Sequence, residues 1–146
     1  MSHWLYKGEE LLESPEDYFG FVYLITNIKS GKKYIGRKYF GTTRRVKVKG
    51  KKRRKVIRKD SNWKDYTGSS KSLNNDIKDL GKKNFRFEIL IFGETKGQVN
   101  YLEENLHHRF HVSSKSEYYN DCIGPRRFAK VRFTNGVEKQ INEIKL

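Results

Sequence analysis

Two tyrosines eleven residues apart, Tyr23 and Tyr34, with Lys33 directly before the second, are the residues best suited to chemistry in this chain. A phenol acts as a general base only when its ordinary pKa of about 10 is lowered by nearby positive charge or a metal ion. Tyr23 lies in a stretch dense in lysine and arginine. The plain alternative is that both tyrosines are cross-strand packing partners. Glu103 offers a carboxylate beside the buried stripe that Leu102 and Leu106 define, with Glu104 as its rival further round the helix. A lone carboxylate completed by water and phosphate is the usual way Mg²⁺ is held. A solvated helix glutamate is the ordinary reading of the same residue.

Glu103, His107 and His111 also recur every four residues along one helix face, a spacing that binds transition metals. The stretch His107-His108-Arg109-Phe110-His111 lacks the glutamate that follows the first histidine in zinc proteases. Histidines near a helix C-terminus are favoured as surface cations by the helix dipole. Cys122 is the single cysteine, so an intramolecular disulfide and a Cys-rich zinc site are excluded, and it reads as a small filler.

The charge is localised. From Tyr18 to Lys59 there is no acidic residue and there are 16 Lys and Arg, whereas the other 104 residues carry 16 basic and 17 acidic side chains. The whole net charge of +15 therefore sits in one segment, which argues for a specific polyanion contact rather than general solubility. Its densest part, Arg44 to Lys59, holds 11 basic residues among 16 and reads as either an extended basic loop or a short ribbon. The expected phosphate contacts are Lys38, Arg45, Lys47, Lys49, Lys51, Lys52, Arg53, Arg54, Lys55, Arg58 and Lys59, with Trp63, Arg126 and Arg127 as groove contacts. A solvated basic patch is the bland alternative.

The elements that must position these residues follow from periodicity. Gly20 to Asn27 and Lys32 to Arg37 flank a Gly-bearing turn and predict a hairpin that brings Tyr34 near Tyr23. Leu73, Ile77 and Leu80 predict a helix capped by Ser69 or Ser70 and stopped at Gly81. Phe85 to Phe92 starts in alternation and ends in a continuous apolar run, as a strand with a buried second half would. Val99, Leu102, Leu106 and Phe110 predict an amphipathic helix. Thr134-Asn135-Gly136-Val137 predicts a terminal hairpin. The fold class expected is α+β, a small antiparallel three-stranded core sheet flanked by helices, with a basic insertion and a C-terminal β-hairpin.

Phe21-Val22-Tyr23 followed by Tyr34-Ile35-Gly36 resembles the paired signature of the GIY-YIG nucleases. The later order is also similar: a helix ending at glycine, a buried strand, a helix bearing a glutamate, then Tyr118-Tyr119-Asn120. Trp63-Lys64-Asp65-Tyr66-Thr67-Gly68-Ser69-Ser70 and Tyr101-Leu102-Glu103 resemble the wording of phage-encoded, homing-endonuclease-like members. The resemblance implies a metal-dependent endonuclease that hydrolyses DNA phosphodiester bonds with Mg²⁺ or Mn²⁺ on Glu103. Hydrolysis of a phosphodiester needs an activated water, stabilisation of charge on phosphorus and a neutralised leaving oxygen. On this resemblance Tyr23 is the base or water-positioning group, Lys33 lowers its pKa, and Tyr34 stands on the neighbouring strand. Tyr66 donates to the scissile phosphate or packs beside Trp63, and Asn120 orients a catalytic group or caps a turn.

The arginine departs from the pattern. If Tyr66 fills the family's aromatic slot, the expected arginine position is Asn62; a direct count from Gly36 reaches Arg44 instead. Arg37 is the preferred candidate, Arg44 the second, and Lys38 a further one.

The implied organisation is an N-terminal arm (1–19), a nuclease domain (20–122) with an insertion (41–62), and a C-terminal hairpin extension (123–146). Double-stranded DNA is the expected partner, cut by a homodimer or by successive nicks. The absence of an apolar span and of a signal-peptide layout predicts a cytoplasmic protein, in the host cell if phage-encoded. A non-catalytic basic nucleic-acid-binding protein is the alternative function.

Overall fold

The computed structural model describes residues 2–53, 55–120 and 136–146; at 42–46, 55–58 and 138 only the backbone is described. Strands β1 (Trp4–Tyr6), β2 (Glu9–Glu10), β3 (Gly20–Asn27), β4 (Lys33–Tyr39) and β7 (Phe85–Gly93) form a five-stranded sheet in the order β2-β1-β7-β3-β4. Strands β5 (Gly41–Val46) and β6 (Lys55–Asp60) form a separate two-stranded ribbon. Three α-helices, α1 (Lys71–Leu80), α2 (Lys96–Arg109) and α3 (Val137–Glu143), and two short 3-10 turns, Trp63–Asp65 and Lys82–Asn84, complete the described elements.

The sheet is mixed and five-stranded rather than the small antiparallel three-stranded sheet expected, because the N-terminal arm adds β1 and β2 to the antiparallel set β4-β3-β7. Tyr6 and Glu9 pair across Lys7 and Gly8, both at positive φ (51° and 84°), the backbone a two-residue hairpin turn requires. β1 then runs parallel to β7, with Trp4 opposite Phe87 and Tyr6 opposite Ile89.

Strand β3 is buried at every residue because both of its faces are covered. One face carries Phe21, Tyr23 and Ile25 into a cluster with Trp4, Trp63, Leu73 and Phe87; the other carries Val22 and Leu24 against Ile35, Leu102 and Leu106. The apolar run in β7 has a specific cause. The register with β3 shifts between Val22↔Ile91 and Tyr23↔Ile89, so Leu90 is bulged, and Ile89 and Ile91 serve opposite clusters.

Helix α1 starts where Ser70 accepts from the Leu73 amide and ends at Gly81 (φ 86°). Helix α2 is capped by Thr95 and buries Val99, Leu102 and Leu106. The predicted second arm of the C-terminal hairpin is corrected: Val137–Glu143 is helical. Val137, Ile141 and Ile144, spaced four and three residues apart, join the cluster under α2, and this burial outweighs the local Asn-Gly turn signal. The first arm, with Cys122, Arg126 and Arg127, lies outside the described residues. Among the described residues, no helix is long and apolar enough to cross a membrane.

Candidate active site

Antiparallel pairing sets Tyr23 opposite Gly36 and Ile25 opposite Tyr34, so both signature tyrosines lie on one face of the β3–β4 hairpin. The glycine is needed there. A Cβ on Gly36 would stand 2.4 Å from the Tyr23 hydroxyl oxygen and 2.8 Å from Tyr34 Cε1. Gly68 closes the other side: at φ 84° it brings its backbone against both phenols, 3.2 Å from a built Cβ to the Tyr23 hydroxyl. The ring of Tyr66 stands edge-on to Tyr23 at 6.2 Å and that of Tyr34 is tilted at 6.1 Å. Three phenols thus converge between two glycines. The Tyr34 hydroxyl shares a hydrogen bond of 3.2 Å with Ser69.

The N-terminal strand holds this cluster from behind. The Trp4 indole donates to the Trp63 carbonyl (2.6 Å), and His3 Nε2 bonds the Tyr66 carbonyl (2.9 Å) while its ring stacks on Phe87 at 4.0 Å. Burial lowers the His3 pKa to about 4, with the Tyr66 carbonyl pulling the other way, so His3 is neutral near pH 7 and Nε2 carries the proton that it donates. Neither anchor was apparent from sequence, which marked residues 1–19 only as an N-terminal arm. Trp63, expected to reach a DNA groove, is 1% exposed and packed on Phe40 and Phe21, so that expectation is corrected.

The opposite face of β4 supplies charge. Arg37 Nε lies 3.5 Å from Glu103 Oε1 on α2, and its guanidinium also sits 4.9 Å from the Tyr39 ring centroid. The Glu103 side chain is 6% exposed, whereas the Arg37 side chain retains 29% of its surface. An arginine so placed keeps donors for an incoming anion while the carboxylate stays dry. The structure therefore joins Arg37 to Glu103. Arg44 lies in β5, where only backbone is described.

Lys33 stands opposite Thr26 on the face away from Tyr23, and the expected effect of Lys33 on that phenol has no support in the geometry. Burial, then Tyr34, Tyr66 and Glu103, push the Tyr23 pKa well above its ordinary value, and Arg37 pulls it down. Burial likewise raises Tyr34, against its bond to Ser69. Lys38 places Nζ 4.1 Å from the Tyr66 ring centroid, and burial lowers its pKa while Asp60 raises it.

Asn120 acts on backbone rather than on a catalytic side chain. Its Oδ1 accepts from the Ile35 amide (3.1 Å) and its Nδ2 donates to the Ile35 carbonyl (2.8 Å), and Lys33 is bonded through its backbone to Glu117 and Tyr119. Asn120 thereby fixes the strand that presents Tyr34 and Gly36. His107 Nε2 also bonds the Ile35 carbonyl (2.8 Å), a contact foreshadowed only by its spacing from Glu103. The Glu103–His107–His111 metal face does not assemble: His111 lies past the helix end at φ 54°, and no group of three His, Cys, Asp or Glu side chains gathers among the described residues. Glu104 faces His108 instead, at 3.7 Å.

Asn62, at the expected arginine position, adopts the left-handed conformation (φ 59°) ahead of a short 3-10 turn, with its amide on Asp60. Asparagine tolerates that backbone and arginine does not favour it, so the local fold suits the residue found there.

Facing tyrosines on a hairpin, a glycine cradle, and an arginine beside a buried glutamate thus share one end of the sheet. The family model described as "Putative endonuclease segE, GIY-YIG domain" matches residues 4–123, and the chain belongs to that family of endonucleases, which are phosphodiester hydrolases. No curated protein and no solved structure gave a match.

Proposed function

We propose that the chain is a metal-dependent endonuclease that hydrolyses phosphodiester bonds of double-stranded DNA. The observation that carries this reading is the β3–β4 hairpin, which gathers Tyr23 and Tyr34 on one face and sets the Arg37–Glu103 pair on the other face of β4, near enough for both charges to act on Tyr23. In this reading Tyr23, held neutral by its burial, orients the attacking water by hydrogen bonding. Proton removal by Tyr23 then requires positive charge brought by the bound complex. Tyr34 and Tyr66 donate to the phosphate oxygens, and the exposed part of the Arg37 guanidinium neutralises charge that builds on phosphorus. Asn120 and His107 hold the Ile35 carbonyl and so keep β4 in place.

Glu103 fits a hard divalent cation, because a single shielded carboxylate beside a surface that receives phosphate is the donor set Mg²⁺ takes. When bound, such an ion supplies Lewis-acid neutralisation of the leaving oxygen. A homing or restriction-like role suits this chemistry. One centre cuts one strand at a time, so double-strand breakage takes two copies or two successive nicks. The family match is what weighs against the non-catalytic alternative, whose support was the missing arginine at Asn62.

Incubation of supercoiled plasmid with the purified chain and Mg²⁺ or Mn²⁺ tests the proposal. Wild type should give nicked or linear product and Glu103→Ala should not. Intact plasmid under all metal and sequence conditions would overturn it.

A further inference from the structure

The β5–β6 ribbon contributes no described side chain to either hydrophobic cluster, yet its stem is firmly rooted. Ser61 bonds the Phe40 carbonyl through its amide (3.2 Å) and hydroxyl (3.1 Å), and the Phe40 and Trp63 rings pack at 5.1 Å. Gly41 and Asp60 pair at the base. The chain enters the ribbon from β4 just past Lys38 and leaves it toward Tyr66, whose ring Lys38 covers, so the stem adjoins the tyrosine site.

Six paired positions give the ribbon a length of about 20 Å at the ordinary strand rise. The B-DNA major groove is roughly 12 Å wide and about 8.5 Å deep and admits a two-stranded β-ribbon. Double-stranded RNA offers a deep, narrow major groove that side chains do not enter. Single strands are held by stacking on aromatic side chains, and residues 41–60 contain none. Lys47, Lys49, Lys51, Lys52, Arg53 and Lys59 are exposed.

We propose that the β5–β6 ribbon enters the major groove of B-form DNA, anchoring the enzyme there and selecting duplex DNA over single strands and over duplex RNA. The inference rests on the nucleic-acid substrate of the proposed function and extends it to the form of the duplex. Phosphate contacts from the ribbon supply affinity and orientation without sequence preference.

The test is binding, measured with the full chain carrying Glu103→Gln so that nothing is cut. Fluorescence anisotropy compares one duplex DNA, its single strand and the matching duplex RNA over a salt series. Two ribbon variants in the same background follow. One replaces residues 42–59 by an Asn-Gly turn joining the paired Gly41 and Asp60; the other combines Lys47→Gln, Lys49→Gln, Lys51→Gln and Lys52→Gln and keeps the backbone. The intact ribbon should favour duplex DNA at least ~10-fold over both other forms. The four-lysine variant should lose on the order of 100-fold and flatten the log–log salt slope by about 3 to 4. Equal binding of duplex RNA, tighter binding of single strands, or unchanged affinity in both variants would overturn the proposal. Absence of plasmid cleavage alongside ribbon-dependent duplex binding would sink the nuclease mechanism and leave the ribbon standing, while cleavage with ribbon-independent binding would do the reverse.

Discussion

The face of the sheet that gathers Tyr23, Tyr34 and Tyr66 and the ribbon from Gly41 to Asp60 are joined by a few residues of chain, yet they are built on opposite principles. The first is packed between Trp4, Trp63 and two glycines, with its hydroxyls held by burial and short contacts. The second has 11 basic residues among small and β-branched neighbours and one acid, Asp60, in a pair of strands apart from the main sheet. Packing places a phenol to a fraction of an ångström and resists substitution; a charged ribbon works through summed phosphate attraction and tolerates the loss of any one lysine. Cutting and holding are thus assigned to separate parts, and mutations in each should have distinct signatures.

The largest effect is expected at Glu103. Glu103→Gln should lower the single-turnover cleavage rate by roughly 10³-fold while duplex affinity measured by anisotropy changes little. Tyr23→Phe comes next, with a loss of about 10²-fold in rate and thermal stability close to wild type, because the ring stays and only the hydroxyl goes. Gly36→Ala should cost both properties. Its Cβ meets the Tyr23 hydroxyl at 2.4 Å, so a melting measurement should show a loss of about 1–3 kcal/mol, together with slower cleavage. A rate loss without any fall in melting temperature would break the claim that this glycine is a packing requirement.

The smallest effect is a pH dependence of stability from His3. Its folded pKa of about 4 lies below the ordinary 6.5, so folding favours the neutral ring. That contribution is fully present above about pH 6.5 and is lost as the pH falls toward 4. The expected size is on the order of 1–2 kcal/mol for a half-buried ring, read as a shallower acid decline of melting temperature in His3→Gln than in wild type.

Much of this architecture was legible in the residues. The β3–β4 hairpin, the Ser70 cap, the Gly81 stop and the stripe of α2 follow from local chemistry, and the tyrosine register follows from the hairpin. What escaped depends on pairing between distant segments. A three-residue strand such as Trp4–Tyr6 carries no period to detect, and its partner in β7 is some eighty residues away. The C-terminal helix was masked by a strong turn dipeptide because the cluster under α2 that rewards Val137, Ile141 and Ile144 has no local signature. Lys33 was misjudged because a one-residue step along a strand changes the face. The same alternation puts Arg37 with Glu103, a contact visible only once α2 is known to cover that face.

The claim that cutting and holding reside in different regions is tested most directly by measuring the single-turnover rate constant and the Kd on one duplex for Tyr23→Phe and for the combined Lys47, Lys49, Lys51 and Lys52 to Gln variant. The account predicts that the tyrosine variant loses rate at unchanged Kd, and that the ribbon variant loses far more in Kd than in rate at saturating protein. Parallel losses in both constants for both variants would contradict it.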